Sequence, residues 1–247
     1  MKTNSLRVSS TWFSKGVTEC PKQSLVVVID ALRFSCTIVR ALEYGIREII
    51  VVSSPEELLR YSGCADTITA GEVNGVKIPG ADTDNSPSEL KNILAIKKAS
   101  RLVIRTTSGA QVFLQAINNK HPVVVCSFIN AESVARYITG EERDVCVVMA
   151  GYKNRFFALD DFLAAGYLAK LLEDNANAVK LDEQLVAAKL AFLSIRSIDM
   201  LRSIIIKTES YKVLEKTGKT RDVYECIDYS ALDVLPLAIG GPVIKRA

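Results

Sequence analysis

Histidine is nearly absent from this 247-residue chain, His121 being the only one. One imidazole cannot build a His-rich metal centre, and the scarcity excludes His-based triad chemistry as well. His121 lies between Lys120 and Pro122 ahead of an apolar run, which places it in a surface loop. The six cysteines form no C-x-x-C pair, excluding a zinc ribbon or a thioredoxin-like motif. Cys126 and Cys146 sit inside apolar runs and read as buried thiols. No stretch of about twenty apolar residues occurs, and residues 1–7 carry no apolar h-region, so the expectation is a soluble, cytoplasmic protein without membrane contact. Like-charge blocks are missing too: the net charge of +3 is spread along the chain, which gives no nucleic-acid footprint but leaves room for a local basic pocket. Without a low-complexity linker, residues 1–247 read as a single compact unit, turning to helical segments from about 175.

What the chain has is apolar surface to bury, with 49% hydrophobic residues and a mean hydropathy of +0.18. Short β-branched runs at 25–29, 49–52, 102–104, 123–126 and 145–149 alternate with helical patterns at about 36–44, 55–62, 87–98, 109–118, 131–139 and 155–173. That alternation is the pattern of an α/β protein, and continuous apolar strands are covered by helices on both faces. Ser54-Pro55-Glu56-Glu57 and Ser86-Pro87-Ser88-Glu89 both read as capping boxes. Further helices are expected at 181–193 and 195–206, and residues 238–244 read as one last strand or a docked tail. The recurring strand–turn–helix unit permits an internal duplication, although no shared motif marks one.

Ligands in such sheets bind beyond the carboxyl ends of the strands. The first run is followed there by Asp30, then Arg33. An aspartate so placed can hold Mg²⁺ through hard oxygens or accept a phosphoryl group, and a guanidinium matches phosphate or sulfonate oxygens. The plainer alternative has Asp30, Ser35 or Thr37 capping a helix, with Arg33 on the surface. Arg105-Thr106-Thr107-Ser108-Gly109 offers three hydroxyls and a helix N-terminus to an anion. Residues 71–87 read as a long polar loop in which Glu72 is a candidate metal ligand or base and Lys77 a candidate anion contact. Asp82, Asp84 and Asn85 read equally well as turn formers. Asp160 and Asp161 interrupt an otherwise apolar helix; buried charge demands a partner, and one ligand can meet one of them more easily than both. No Walker A loop and no G-x-G-x-x-G is present.

Taken in order, Val-Val-Ile-Asp30-Ala-Leu-Arg33, Gly71-Glu72 with Lys77-Ile78-Pro79-Gly80, Asn85-Ser86-Pro87, Thr106-Thr107-Ser108-Gly109, Ser127-Phe128-Ile129-Asn130-Ala131 and Ala158-Leu159-Asp160-Asp161 with Ala165-Gly166 resemble the 2-phosphosulfolactate phosphatase family. The likeness spans about residues 25–166 and, less distinctly, Asp222 to Pro236. It departs from the family pattern at Val73, Ala81 and Ser108, which bears on substrate identity more than on reaction type. The resemblance implies a three-layer α/β/α protein with a mixed, largely parallel sheet, open to construction as two similar intertwined halves. It implies a Mg²⁺-dependent phosphomonoesterase acting on a small sulfonated hydroxy acid, of the coenzyme M biosynthesis type. On that reading Asp30, Glu72 and one of Asp160 or Asp161 gather around Mg²⁺. Arg33, Thr106, Thr107, Ser108 and the Gly109 amide hold the phosphate, and Lys77, Ser127 and Asn130 meet the acidic groups of a small anionic phosphoester. A homodimer is expected from the frequency of that symmetry. The alternative of another class is a non-catalytic module binding a phosphorylated metabolite through the same turns.

Overall fold

The computed structural model describes residues 6–141, 143–175, 178–229 and 232–247. Its strands are β1 (Leu6–Trp12), β2 (Leu25–Ile29), β3 (Glu48–Val51), β4 (Thr67–Val73), β5 (Val76–Lys77), β6 (Arg101–Arg105), β7 (Val123–Cys126), β8 (Val145–Met149), β9 (Val179–Leu181), β10 (Pro236–Ala238) and β11 (Val243–Arg246). They form one mixed, mostly parallel sheet in the order β5-β4-β6-β3-β11-β10-β7-β2-β8-β1-β9, with helices that complete a three-layer α/β/α fold. Every residue of β2, β7 and β8 is buried, as expected for strands covered on both faces.

The sheet consists of two parallel groups. One contains β7, β2, β8, β1 and β9, the other β3, β6 and β4. The hairpin of β10 and β11 joins them, each of its strands running antiparallel to a neighbour from one group. The chain enters the first group, leaves after β2 to build the second, and returns with β7, so the groups are interleaved in sequence. One apolar core runs through both.

Local chemistry accounts for most elements. Ser54 and Ser86 cap their helices by accepting from the Glu57 and Glu89 amides at 3.2 Å each, with proline at the first helical position. The glutamates do not complete the expected boxes: Glu57 accepts from the Ser53 amide, and Glu89 faces Thr83 and Lys219. The polar loop expected at 71–87 is also different. Gly71, Glu72 and Val73 belong to β4, and Asn74 and Gly75, both with positive φ (53° and 83°), turn the chain into β5 as a two-residue hairpin. The helix expected from 155 starts at Leu159, because Gly151 to Phe156 close a turn held by the Tyr152 amide on the Phe156 carbonyl. The C-terminal tail is a hairpin rather than one strand. Cys146 is no free thiol: it is bonded to Cys20, with Cα atoms 5.7 Å apart. His121 lies in a loop before β7 as expected, but it is buried, its Nδ1 3.0 Å from the Ser24 carbonyl oxygen, so the surface setting expected for it is corrected.

Candidate active site

The carboxyl ends of β2 and β8 from one strand group face those of β4 and β6 from the other, and a solvent-open pocket lies between them. Four carboxylates line it: Asp30, Glu72, Asp160 and Asp161, exposed by only 8, 6, 1 and 3%. Asp30, Asp161 and Glu72 are fixed largely by donors from the turns and helix starts, and Asp160 by a hydroxyl from a C-terminal helix. Asp30 accepts from the Phe34 amide at 3.3 Å and the Gly109 amide at 2.7 Å. Asp161 bridges the two neighbouring strand ends, accepting from the Ala31 amide at 2.7 Å and the Gly151 amide at 2.8 Å. Glu72 ties the β4 hairpin to the turn after β6, accepting from the Thr107 amide (2.5 Å), the Thr107 hydroxyl (2.8 Å) and the Gly75 amide (2.6 Å). Asp160 accepts from the Ser210 hydroxyl at 3.2 Å. Gly109 has to be glycine here, because a Cβ would stand 2.5 Å from the Phe34 ring and 2.7 Å from Asp30 Oδ2.

So many acids in so little water cannot all keep ordinary acidity. Burial, reinforced by the charges of Asp160 and Glu72, pushes Asp30 up to about 7. Burial raises Asp160 to about 6, and it raises Asp161 well above the usual carboxylate range with help from Asp160 and Asp30.

Arg33 also lines the pocket and is only 4% exposed, which rules out the surface alternative. Its guanidinium donates to Asp222 at 2.5 Å and to Asp84 at 3.1 Å. Burial works against its charge, but the two carboxylates outweigh that and raise its pKa. Thr107 and Ser108 line the same pocket. Ser108 Oγ accepts from the Asn154 amide at 2.9 Å, which leaves its own hydrogen free to donate.

Five residues singled out from the sequence stand elsewhere. Lys77 is exposed and donates to the Asp82 carbonyl at 2.9 Å. Thr106 accepts from the Ala110 amide at 3.0 Å, a helix-start contact, and the Gly109 amide is engaged by Asp30. The Ser127 amide donates to Asn130 Oδ1 at 2.8 Å, while Asn130 Nδ2 donates to the carbonyls of Val125 and Val234, stitching the turn after β7 to the chain before β10. Reasoning from the sequence missed Ser210, Lys153 and Asn85 as lining residues and Asp84 and Asp222 as partners of Arg33. A strand-end signal was available for Lys153, and Asn85 was read as a turn former. Ser210 and Asp222 lie on C-terminal helices; nothing local marks Ser210, and Asp222 is marked only as the start of the weaker stretch of the family resemblance, with no role attached.

The lining suits a hard cation. It has four carboxylates, and the Asn85 side-chain oxygen that also belongs to the lining residues is buried with no hydrogen-bond partner among the described residues. Among the described residues no group of three or more His, Cys, Asp or Glu forms a ready-made cage. Mg²⁺ needs none, since it is commonly held by one or two carboxylates and completes its shell with water and phosphate oxygens.

Comparison with known proteins gives a consistent result. The family model described as 2-phosphosulpholactate phosphatase matches residues 14–240. A probable 2-phosphosulfolactate phosphatase of Carboxydothermus hydrogenoformans is 32% identical over 212 residues, covering 85% of this chain and 84% of that protein. Proteins with the same description from Clostridium beijerinckii and Clostridium perfringens are each 30% identical, covering 87% and 88% of this chain and 89% and 87% of their own length.

Proposed function

Since the chain belongs to the 2-phosphosulpholactate phosphatase family, we propose that it hydrolyses 2-phosphosulfolactate to sulfolactate and phosphate, with Mg²⁺ held by Asp30 together with one of Glu72, Asp160 or Asp161. The observation that carries this reading is the meeting of those carboxylates with Thr107, Ser108 and Arg33 in one pocket, contributed by strand ends of both parallel groups. Bound there, Mg²⁺ would neutralise the carboxylates and the phosphoryl oxygens and act as a Lewis acid. The chain's own residues do the rest, since phosphoryl transfer depends mainly on positioning and electrostatics.

Ser108 donates its free hydroxyl hydrogen to a phosphoryl oxygen. Thr107 and the Gly75 amide hold Glu72 in place. Asp161 keeps the turns after β2 and β8 at a fixed separation by binding one amide from each. Asp30 has both oxygens engaged by backbone amides. Each oxygen is thereby fixed in direction and keeps a lone pair for a cation, which suits Asp30 to holding Mg²⁺, and water is the nucleophile. Arg33, locked by Asp84 and Asp222, keeps one conformation in the pocket wall, where its remaining N–H groups can donate to a phosphoryl oxygen.

The test is phosphate release from 2-phosphosulfolactate by the purified chain with Mg²⁺, with excess EDTA, and in Asp30→Asn. Turnover is expected with Mg²⁺, and a fall of at least about 100-fold in the other two cases, the order expected when several kcal/mol of charge stabilisation are lost. Full activity under EDTA or in Asp30→Asn defeats the assignment. Tight ligand binding without turnover would make the chain a binding module instead.

A further inference from the structure

The pocket's charges and the proposed substrate do not yet match. A phosphomonoester of a sulfonated hydroxy acid carries, besides the phosphate, acidic groups on its alcohol portion. Cations in the lining have to meet them, and only two lining residues are cationic, Arg33 and Lys153. Arg33 is already neutralised by two buried carboxylates. Lys77, the cation expected from the sequence, is engaged outside the pocket. Lys153 has no ion pair among the described residues, its Nζ standing 5.2 Å from the centroid of the Tyr152 ring.

The backbone around Lys153 is built with unusual effort. Gly151, Lys153 and Asn154 all have positive φ, at 71°, 54° and 52°; glycine and asparagine accept that region, whereas lysine does not favour it. Such strain persists only where the surroundings over-determine it, and it concentrates at ligand clamps. Here Asn154 is the anchor. Its Nδ2 donates to Ser14 Oγ and to Gln111 Oε1, both at 2.8 Å, its Oδ1 accepts from the Ser14 amide at 2.7 Å, and its own amide donates to Ser108 at 2.9 Å. Phe156 returns to pair with Tyr152. The turn is therefore pinned on both sides of Lys153, whose side chain is left exposed at the rim while the carboxylates lie buried on the floor.

We propose that Lys153 is the specificity-determining cation for the acidic group on the alcohol portion of the substrate, so that the pocket selects phosphomonoesters of sulfonated or carboxylated hydroxy acids. The proposal rests on the phosphatase reading for its substrate. The phosphoryl end must reach the carboxylate floor, so the rest of the molecule points to the rim, where Lys153 supplies the unpaired positive charge.

Calorimetric titration of two probes with Mg²⁺ present tests this without turnover: sulfolactate, which carries only the alcohol portion, and inorganic phosphate. In Lys153→Ala the Kd for sulfolactate is expected to rise about tenfold, as loss of a hydrogen bond to a charged group predicts. The Kd for phosphate should move less than about twofold, and the sulfolactate effect should shrink as salt screens the charge. Lys153→Arg restores binding. Lys153→Gly removes the whole side chain but fits the left-handed backbone that alanine resists, so matching behaviour of the Gly and Ala variants separates loss of the charged side chain from strain. Unchanged sulfolactate affinity in the Ala and Gly variants, an equal loss for both probes, or no sulfolactate binding by the unaltered chain overturns the proposal. Failure of the phosphatase reading shows separately, as absence of phosphate release by the unaltered chain.

Discussion

Asp222 is fully buried, and its two oxygens are divided between two tasks. One accepts from the Ser86 and Ser88 hydroxyls at 2.8 and 2.5 Å, the other from Arg33 at 2.5 Å. Asp222→Asn keeps the size of the side chain but sets an amide against a buried guanidinium, leaving that charge with Asp84 alone. Removing one partner of a buried pair costs about 3–5 kcal/mol, and the remaining partner should hold the loss to about 3 kcal/mol. Urea unfolding checks it, with a lower midpoint at unchanged slope; a loss under about 1 kcal/mol would mean that Arg33 does not depend on Asp222. This pair also shows where residue-level reading runs out. Asp30, Arg33, Glu72, Thr107, Ser108, Asp160 and Asp161 were legible because each follows or interrupts an apolar run. Asp222 is 189 residues from Arg33, and only the packing of a C-terminal helix onto the site joins them.

At the scale of elements, the helix Leu159–Asn175 brings Asp160 and Asp161 into the pocket from its first turn, and its position depends on the neighbouring helix Glu183–Leu193. Gly166 is where the two approach most closely: a Cβ there would lie 2.1 Å from the Ala188 carbonyl oxygen and 2.5 Å from its carbon. The obstacle is backbone, so the helices themselves would have to separate. Gly166→Ala is expected to lower stability by about 2 kcal/mol, within the usual cost of overpacking. Because the clash involves no side chain, Ala188→Gly should not rescue it. Thermal melts of the single and double variants test this, and recovery in the double variant would refute it. The β-branched runs disclosed the central strands, and proline after serine marked two helix starts. The β4 hairpin was hidden by its polar residues even though Asn74-Gly75 is a hairpin dipeptide, and no spacing rule links Cys20 to Cys146 across 126 residues.

The whole molecule concentrates buried carboxyl groups where the strand ends of its two groups face each other, and that has a consequence for stability. A carboxyl whose pKa is raised by folding binds its proton more tightly in the folded chain than in the unfolded one. Its contribution is therefore complete below the unfolded value of 3.8 and is lost as pH rises through the folded value. For Asp160 and Asp30 those folded values are about 6 and about 7. Carboxyls with lowered pKa, such as Asp82 and Glu89, act in the opposite sense but below the ordinary carboxylate range, so they have finished titrating by about pH 5. Between about pH 5 and pH 7.5 the metal-free chain should thus lose thermal stability. Mg²⁺ should restore it, and by more at pH 7.5 than at pH 5, because at the lower pH protons already occupy the carboxylates that the cation would bind. Replacing Asp30 and Asp160 together with Asn should flatten the metal-free profile. Scanning calorimetry at several pH values with and without Mg²⁺ decides the matter. A melting temperature that stays level or rises across that window, or a larger Mg²⁺ effect at pH 5, would show that the buried carboxylates neither control the stability of the fold nor receive the ion.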